Sequence, residues 1–126
     1  MERVTGIGGI FFKSDSPAKL KEWYGKHLGI KAEEWGKMFE WQQKDGTPGG
    51  TIWSIFPQDT KYFEPSRASF MLNYRVDNLD ALLDALRAEG VWIDPKRDDN
   101  DYGRFAWIMD PDGNRIELWE PPKGGT

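Results

Sequence analysis

The chain lacks cysteine altogether and has a single histidine, His27, among its 126 residues. Without cysteine it can form neither disulfides nor thiolate metal sites, and it has no cysteine nucleophile. With one histidine, a two-histidine metal motif or a His-based triad is hard to build. His27 falls in the last turn of a predicted helix, where a positive side chain favours the helix dipole, so a structural role is the simpler interpretation.

Long apolar stretches and basic runs are also missing. No segment approaches the roughly 20 apolar residues that span a bilayer, and the N-terminus lacks the apolar core of a signal peptide. We therefore expect a cytoplasmic protein with no membrane partner. The net charge is −4 and no basic run exceeds two residues, which argues against a nucleic-acid partner.

What the chain does have is aromatic side chains and an internal repeat. It contains seven Trp, seven Phe and four Tyr. Phe39-x-Trp41 recurs as Phe105-x-Trp107, and other matches keep an offset of 61 to 67 residues. Two copies of a unit indicate paired modules, since a solenoid needs three or more repeats.

Each copy predicts the order β-α-β-β-β. In the first copy, Ser16-Pro17 starts a helix that Gly29 ends, and we predict strands at 4–13, 30–35, 38–44 and 50–56. In the second copy, Asn78 caps a helix that ends at Gly90. Strands are predicted there at 69–76, 91–94, 102–109 and 114–120, with a charged loop at 95–101.

This pattern, the stretch YRVDNLDALLDALRAEGV (74–91) and the closing DPDGNRIELWEP (110–121) resemble the glyoxalase/bleomycin-resistance/extradiol-dioxygenase family, the vicinal oxygen chelate superfamily. The resemblance spans about residues 4–121. It implies an α+β fold in which two tandem βαβββ modules form a curled mixed sheet around a cleft. The chain would be one domain over 1–126, with module 1 at about 4–57, a connector at 58–68 and module 2 at about 69–121.

The resemblance also implies where a metal would sit, because metal enzymes of the family carry His, Glu or Gln on the first and last strand of each module. By the internal alignment these positions fall on Gly9, Trp53, Met71 and Glu117. Only Glu117 is a ligand type that a catalytic divalent cation favours. We therefore predict no metal and no other cofactor, unless Glu117 recruits acids from loops such as Asp99 or Asp101.

Side-chain alternation along the strands predicts which residues face the cleft. An apolar wall with a few polar groups is typical of a small-molecule pocket, although the same side chains would also serve to fill a cleft that has lost its metal. Lys13 is also expected on this face, so we expect the charge of the face to be neutral to positive. Such a face suits a planar ligand with an anionic or carbonyl group. The predicted ligand-binding residues are Phe11, Trp53, Met71, Asn73, Arg75, Arg115 and Trp119.

Three functions remain open, the third being a structural or regulatory protein that binds no small ligand. The first is metal-independent binding of a small, partly aromatic molecule in the cleft, as in the drug-sequestering members of the resembled family. The alternative is a lyase, isomerase or dioxygenase-type enzyme that uses Glu117 as an acid/base or metal ligand. In a purely structural role, Glu117 would be satisfied by Arg115 or by a polar neighbour. We also expect a homodimer, because open sheet edges and clefts are often closed by pairing between chains.

Overall fold

A computed structural model describes residues 2–123 of the chain as one mixed sheet with two helices. This confirms the α+β class. The helices are α1 (Pro17–Leu28) and α2 (Leu79–Ala88). The strands are β1 (Val4–Ser14), β2 (Lys37–Gln42), β3 (Pro48–Pro57), β4 (Phe70–Val76), β5 (Ile93–Asn100), β6 (Gly103–Met109) and β7 (Arg115–Glu120). None of the described helices has the length and apolar character needed to cross a membrane.

The strands lie in the order β2-β3-β1-β4-β7-β6-β5, so the sheet is open, with β2 and β5 at its edges. Strands β1 and β3 are parallel, as are β4 and β7, while the other neighbours are antiparallel. The central pair β1–β4 joins the two halves of the chain into one sheet. Residues from both halves therefore meet on the same face.

The helix boundaries follow the sequence signals. Helix α1 begins at Pro17, directly after Ser16, and ends before Gly29, which takes the left-handed conformation with φ of 71°. Asn78 caps α2 by accepting a hydrogen bond from the Ala81 amide. Helix α1 packs on β1 and β3, and α2 packs on β6 and β7.

Two predicted segments differ in the structure. Residues 30–35 form no strand, and only an isolated bridge joins Glu33 to Gly36. The backbone N–H and C=O groups of these two residues hydrogen-bond to each other in a tight local turn. The same groups are therefore not free to pair with a neighbouring strand. The predicted loop at 95–101 is instead largely β5, an edge strand. Its charged side chains suit an edge, where they discourage pairing with another chain.

The core lies on both faces of the sheet. Beneath α2, a buried cluster is formed by Val76, Leu79, Leu82, Leu83, Ala106 and Leu118. On the opposite face, a second cluster is formed by Phe11, Phe63, Met71 and Trp107. We call this second face, away from the helices, the cleft face of the sheet, and it contains the candidate site.

The helix-bearing face leaves an apolar strip uncovered at the β1–β4 junction. Ile7, Ile10 and Phe70 are 46%, 38% and 41% exposed there, although α2 covers Val76 at the other end of β4. Contiguous exposed apolar side chains of this kind mark interaction surfaces.

We predict that a second copy of the chain covers this strip. Light scattering at micromolar concentration should give the mass of two chains. Ile10→Lys should reduce it to the mass of one chain, because a dimer of this variant would bury an unpaired charge.

The matched control is Phe39→Lys, which places the same charge at an exposed aromatic position on β2. This variant should stay dimeric. A one-chain mass for the unmodified protein would contradict the prediction.

Candidate functional site

One row of cross-strand neighbours defines the centre of the cleft face. Ile52 on β3 pairs with Gly9 on β1, Gly9 pairs with Asn73 on β4, and Asn73 pairs with Glu117 on β7. Trp107 on β6 lies opposite Glu117. Paired residues share a face of the sheet, so this row brings both halves of the chain to one carboxyl group.

The Glu117 carboxyl is buried, with 2% of the residue exposed, and it accepts three hydrogen bonds. The Asn73 amide donates to Oε1 at 2.6 Å, and the Trp107 indole N–H donates to Oε2 at 3.0 Å. The Tyr62 hydroxyl also donates to Oε2. Burial raises the pKa of Glu117 above its ordinary value, and the three donors partly offset that rise.

Tyr62 is a site residue that the sequence did not indicate. It belongs to the connector between the halves, and its hydroxyl pKa is raised well above the ordinary value by burial and by the neighbouring Glu117. Phe63, next in the chain, is fully buried. The only signal in the sequence is an aromatic pair inside an otherwise polar connector, which indicates that this segment folds onto the sheet rather than into solvent.

A pocket of about 250 Å³ opens beside this network. Its wall is mainly aromatic and apolar, with a few polar groups, as is typical of small-molecule sites. The Oδ1 atom of Asn73 is buried in this wall, next to Gly8, and has no partner among residues 2–123. We call this space the cleft pocket; its lining is Phe11, Ile52, Tyr62, Asn73, Asp98, Asn100, Tyr102, Phe105, Glu117 and Trp119.

A larger depression of about 550 Å³ lies along α1. Its wall is one helix face and the end of β1, from Ser14 to Tyr24, and it contains none of the buried unpaired polar atoms found in the described residues. His27 lies near it on α1, where its ring is 5.1 Å from that of Trp23. We therefore assign the candidate site to the smaller cleft pocket.

Of the residues predicted for the site, the structure brings Phe11, Asn73, Glu117 and Trp119 together in the cleft pocket. The prediction that Trp53 faces the cleft is wrong. Its ring packs against Tyr24 of α1 at 5.0 Å and against Phe12 at 5.5 Å. The pairing of β3 with β1 sets this orientation, because the cleft position opposite Gly9 is Ile52.

The remaining three predicted residues lie outside the cleft pocket. Met71 is fully buried in the core against Phe11. It therefore fills part of the cleft and does not line the pocket. Arg115 is bonded to Asp94 at 2.8 Å, so it does not neutralise Glu117 by a direct ion pair. Arg75 lies beyond Trp119, against its indole ring.

The donor set does not fit a catalytic metal. Among residues 2–123 there is no group of three or more His, Asp or Glu side chains arranged to hold one. Both oxygens of Glu117 already accept hydrogen bonds, and Asp99 is paired with Arg97 at 2.7 Å. A divalent cation at this row would have one carboxylate and one amide oxygen, fewer than the usual three protein ligands.

Comparison with known proteins places the chain in a family. The model of the Glyoxalase/Bleomycin resistance protein/Dioxygenase superfamily matches residues 6–118. The chain belongs to this superfamily. No curated protein sequence matches it.

Several solved structures share the fold. A variant of Streptomyces coelicolor methylmalonyl-CoA epimerase, in complex with 2-nitronate-propionyl-CoA, has a TM-score of 0.71 and 16% identity over 94% of this chain and 99% of that chain. Methylmalonyl-CoA epimerase from Mycobacterium tuberculosis has a TM-score of 0.62 and 23% identity over 95% and 91%. A superfamily member from Vibrio splendidus 12B01 has a TM-score of 0.55 and 9% identity over 95% and 99%. At these identities the likeness shows the fold.

The raised pKa of Glu117 predicts a pH-dependent contribution to stability. Because its pKa in the fold exceeds the unfolded value, the native state favours the protonated carboxyl. That stability is complete below the unfolded pKa and is lost as pH rises through the folded pKa. Glu117→Gln replaces the carboxyl by a permanently neutral group. The free energy of unfolding of the variant should therefore improve relative to the wild type with rising pH, by about 1.4 kcal/mol per unit of pKa difference.

Denaturant unfolding between about pH 4 and 8 measures this difference. Glu40→Gln, at an exposed position on β2, is the matched control. A gap between wild type and Glu117→Gln that is independent of pH would show that burial does not perturb this carboxyl.

Proposed function

We propose that the protein binds a small, partly aromatic molecule in the cleft pocket without the help of a metal. The observation that carries this proposal is the state of Glu117. Its three donors all come from the protein, so the carboxyl is occupied as part of the pocket wall. What remains for a ligand is a largely aromatic space that Asp98 and Asn100 also line, with the unpaired Oδ1 of Asn73 buried in its wall.

The size and lining of the pocket support a compact ligand. A volume of about 250 Å³ lies just below the usual range of roughly 300–1,000 Å³ for ligand sites, which limits the ligand to a molecule of one or two rings. Phe105 and Trp119 lie nearly parallel in its wall, with an interplanar angle of 9°. Such faces favour a planar partner, and stacking contributes about 0.5–1.5 kcal/mol beyond the burial of area.

Asn73 supports a donor group on the ligand. Its amide nitrogen is fixed by the bond to Glu117, so its Oδ1 is turned away from the carboxyl and lacks a partner. A buried acceptor without a partner costs about 1–3 kcal/mol. A ligand N–H or O–H that reached this oxygen would remove that cost, which makes Asn73 the expected orienting residue.

The second candidate function is acid–base catalysis by Glu117, as an isomerase-type enzyme would need. Its raised pKa favours this function, because a carboxyl tuned toward neutrality is suited to proton transfer. The geometry favours binding, since one lone-pair position of the carboxylate's four is left after three donors. Glu117→Gln separates the two. If the protein is an enzyme, the variant should lose turnover and keep its ligand affinity. If it is a binding protein, neither the wild type nor the variant should show turnover.

The binding proposal is tested by filling the pocket. A library of one- and two-ring compounds is screened by tryptophan fluorescence, and the affinity of a hit is then measured by calorimetry. Ile52→Phe adds a ring to the pocket wall and should weaken binding at least about 10-fold, because the added ring excludes the ligand. Its matched control is Trp53→Phe on the next residue of β3, which faces α1 and should leave the affinity unchanged.

Equal affinities for the wild type and a folded Ile52→Phe variant would show that the ligand binds elsewhere. A loss in Trp53→Phe with no loss in Ile52→Phe would place the site on the helix side of the sheet.

A further inference from the structure

A second row of neighbours crosses the sheet beyond the cleft pocket, and it consists of flat groups. Phe105 pairs with Trp119, Trp119 pairs with Arg75, and Arg75 pairs with Gly6. The guanidinium carbon of Arg75 is 5.3 Å from the ring centroid of Trp119 and 5.6 Å from that of Trp41. Two indole rings thus contact one guanidinium group, an arrangement that fixes its position by cation–π attraction.

Trp41 reaches Arg75 because glycines clear its path. A Cβ atom at Gly6 would lie 2.5 Å from the Trp41 ring, and one at Gly49 would lie equally close. Any larger residue at either position would push the ring away from Arg75. The sequence of β1 and β3 therefore shapes the surroundings of this arginine.

Arg75 is buried without an ionic partner. It is 5% exposed, its Nε and Nη1 atoms have no partner, and it forms no ion pair within residues 2–123. Burial lowers the pKa of its guanidinium, and Asp77 opposes that change only from a distance. Arg115, equally buried, is by contrast bonded to Asp94. An unpaired buried charge is costly, so Arg75 lacks the compensation that Arg115 has.

Arg75 also forms part of the wall of a cavity of about 380 Å³ that is separate from the cleft pocket. Gln43 and Thr47 add neutral polar groups to this wall, and Lys123 adds a second positive charge. Two acids lie there as well, Asp77 and Glu120, and Oε1 of Glu120 accepts the Leu79 amide at 2.8 Å. The two positive and two negative side chains cancel, so the wall as a whole disfavours a polyanion, and a small anion with one negative charge is favoured only next to Arg75 itself.

We propose that this cavity is a carboxylate-binding subsite in which the Arg75 guanidinium receives the anionic group of a small molecule. The planar fork of arginine matches a carboxylate with two parallel N–H···O bonds, and the indole rings orient the fork before binding. The subsite is independent of the cleft pocket, because its anchor lies on the other side of Trp119.

Acetate is the probe, since it carries a carboxylate and no ring that could enter the cleft pocket. In ¹⁵N-labelled protein, the Nε–H signal of Arg75 should shift along a saturable millimolar titration. Arg75→Met should weaken acetate binding by about 10-fold or more, and Arg75→Lys should recover only part of it, because a lysine keeps the charge and loses the fork. Arg104→Met, which removes an exposed arginine near Glu120, is the matched control and should bind as the wild type does.

An Arg75 signal that stays still throughout the titration, in the wild type and in Arg104→Met, would overturn the proposal even if Arg75→Met failed to fold. A shift with inorganic phosphate and none with acetate would overturn the assignment to carboxylates. Since the probe has no ring, neither result depends on whether the cleft pocket binds its ligand.

Discussion

The structure depends most on the burial of one carboxyl group, that of Glu117. Its three donors come from β4, from β6 and from the connector between the halves. A buried carboxylate costs several kcal/mol unless hydrogen bonds compensate it, so these segments must stay together for the group to be tolerated. The same bonds decide the chemistry, because they turn this acid into a fixed part of the pocket wall.

Small residues on β1 leave the space that the side chains around Glu117 occupy. Gly8 and Gly9 both lie against Asn73, and a Cβ atom at Gly8 would also come within 2.9 Å of the Trp119 ring. The register between β1 and β4 shifts at this point, so the strand carries one extra residue there. A glycine-rich strand at the centre of the sheet thus lets large side chains from neighbouring strands cover it.

Much of the fold could be predicted from local signals. Ser16-Pro17, Gly29 and Asn78 mark helix ends by their own backbone chemistry. Side-chain alternation along β7 correctly predicts that Glu117 faces the cleft. Trp53 was misplaced because alternation fixes only relative orientation, and a shift of one residue moves a whole strand to the other face. Tyr62 could not be placed at all, since the path of a connector is decided by tertiary packing.

Hydrogen exchange at the tryptophan indoles is a direct test of the buried hydrogen bond between Trp107 and Glu117. If the Trp107 N–H is bonded to a buried Glu117, its proton should exchange on the timescale of global unfolding. It should exchange far more slowly than that of Trp23, which is 49% exposed. Glu117→Gln should accelerate exchange at Trp107 and leave Trp41, bonded to Thr51, unchanged. A Trp107 proton that exchanged as fast as that of Trp23 would show that no buried Glu117 carboxyl holds the Trp107 indole.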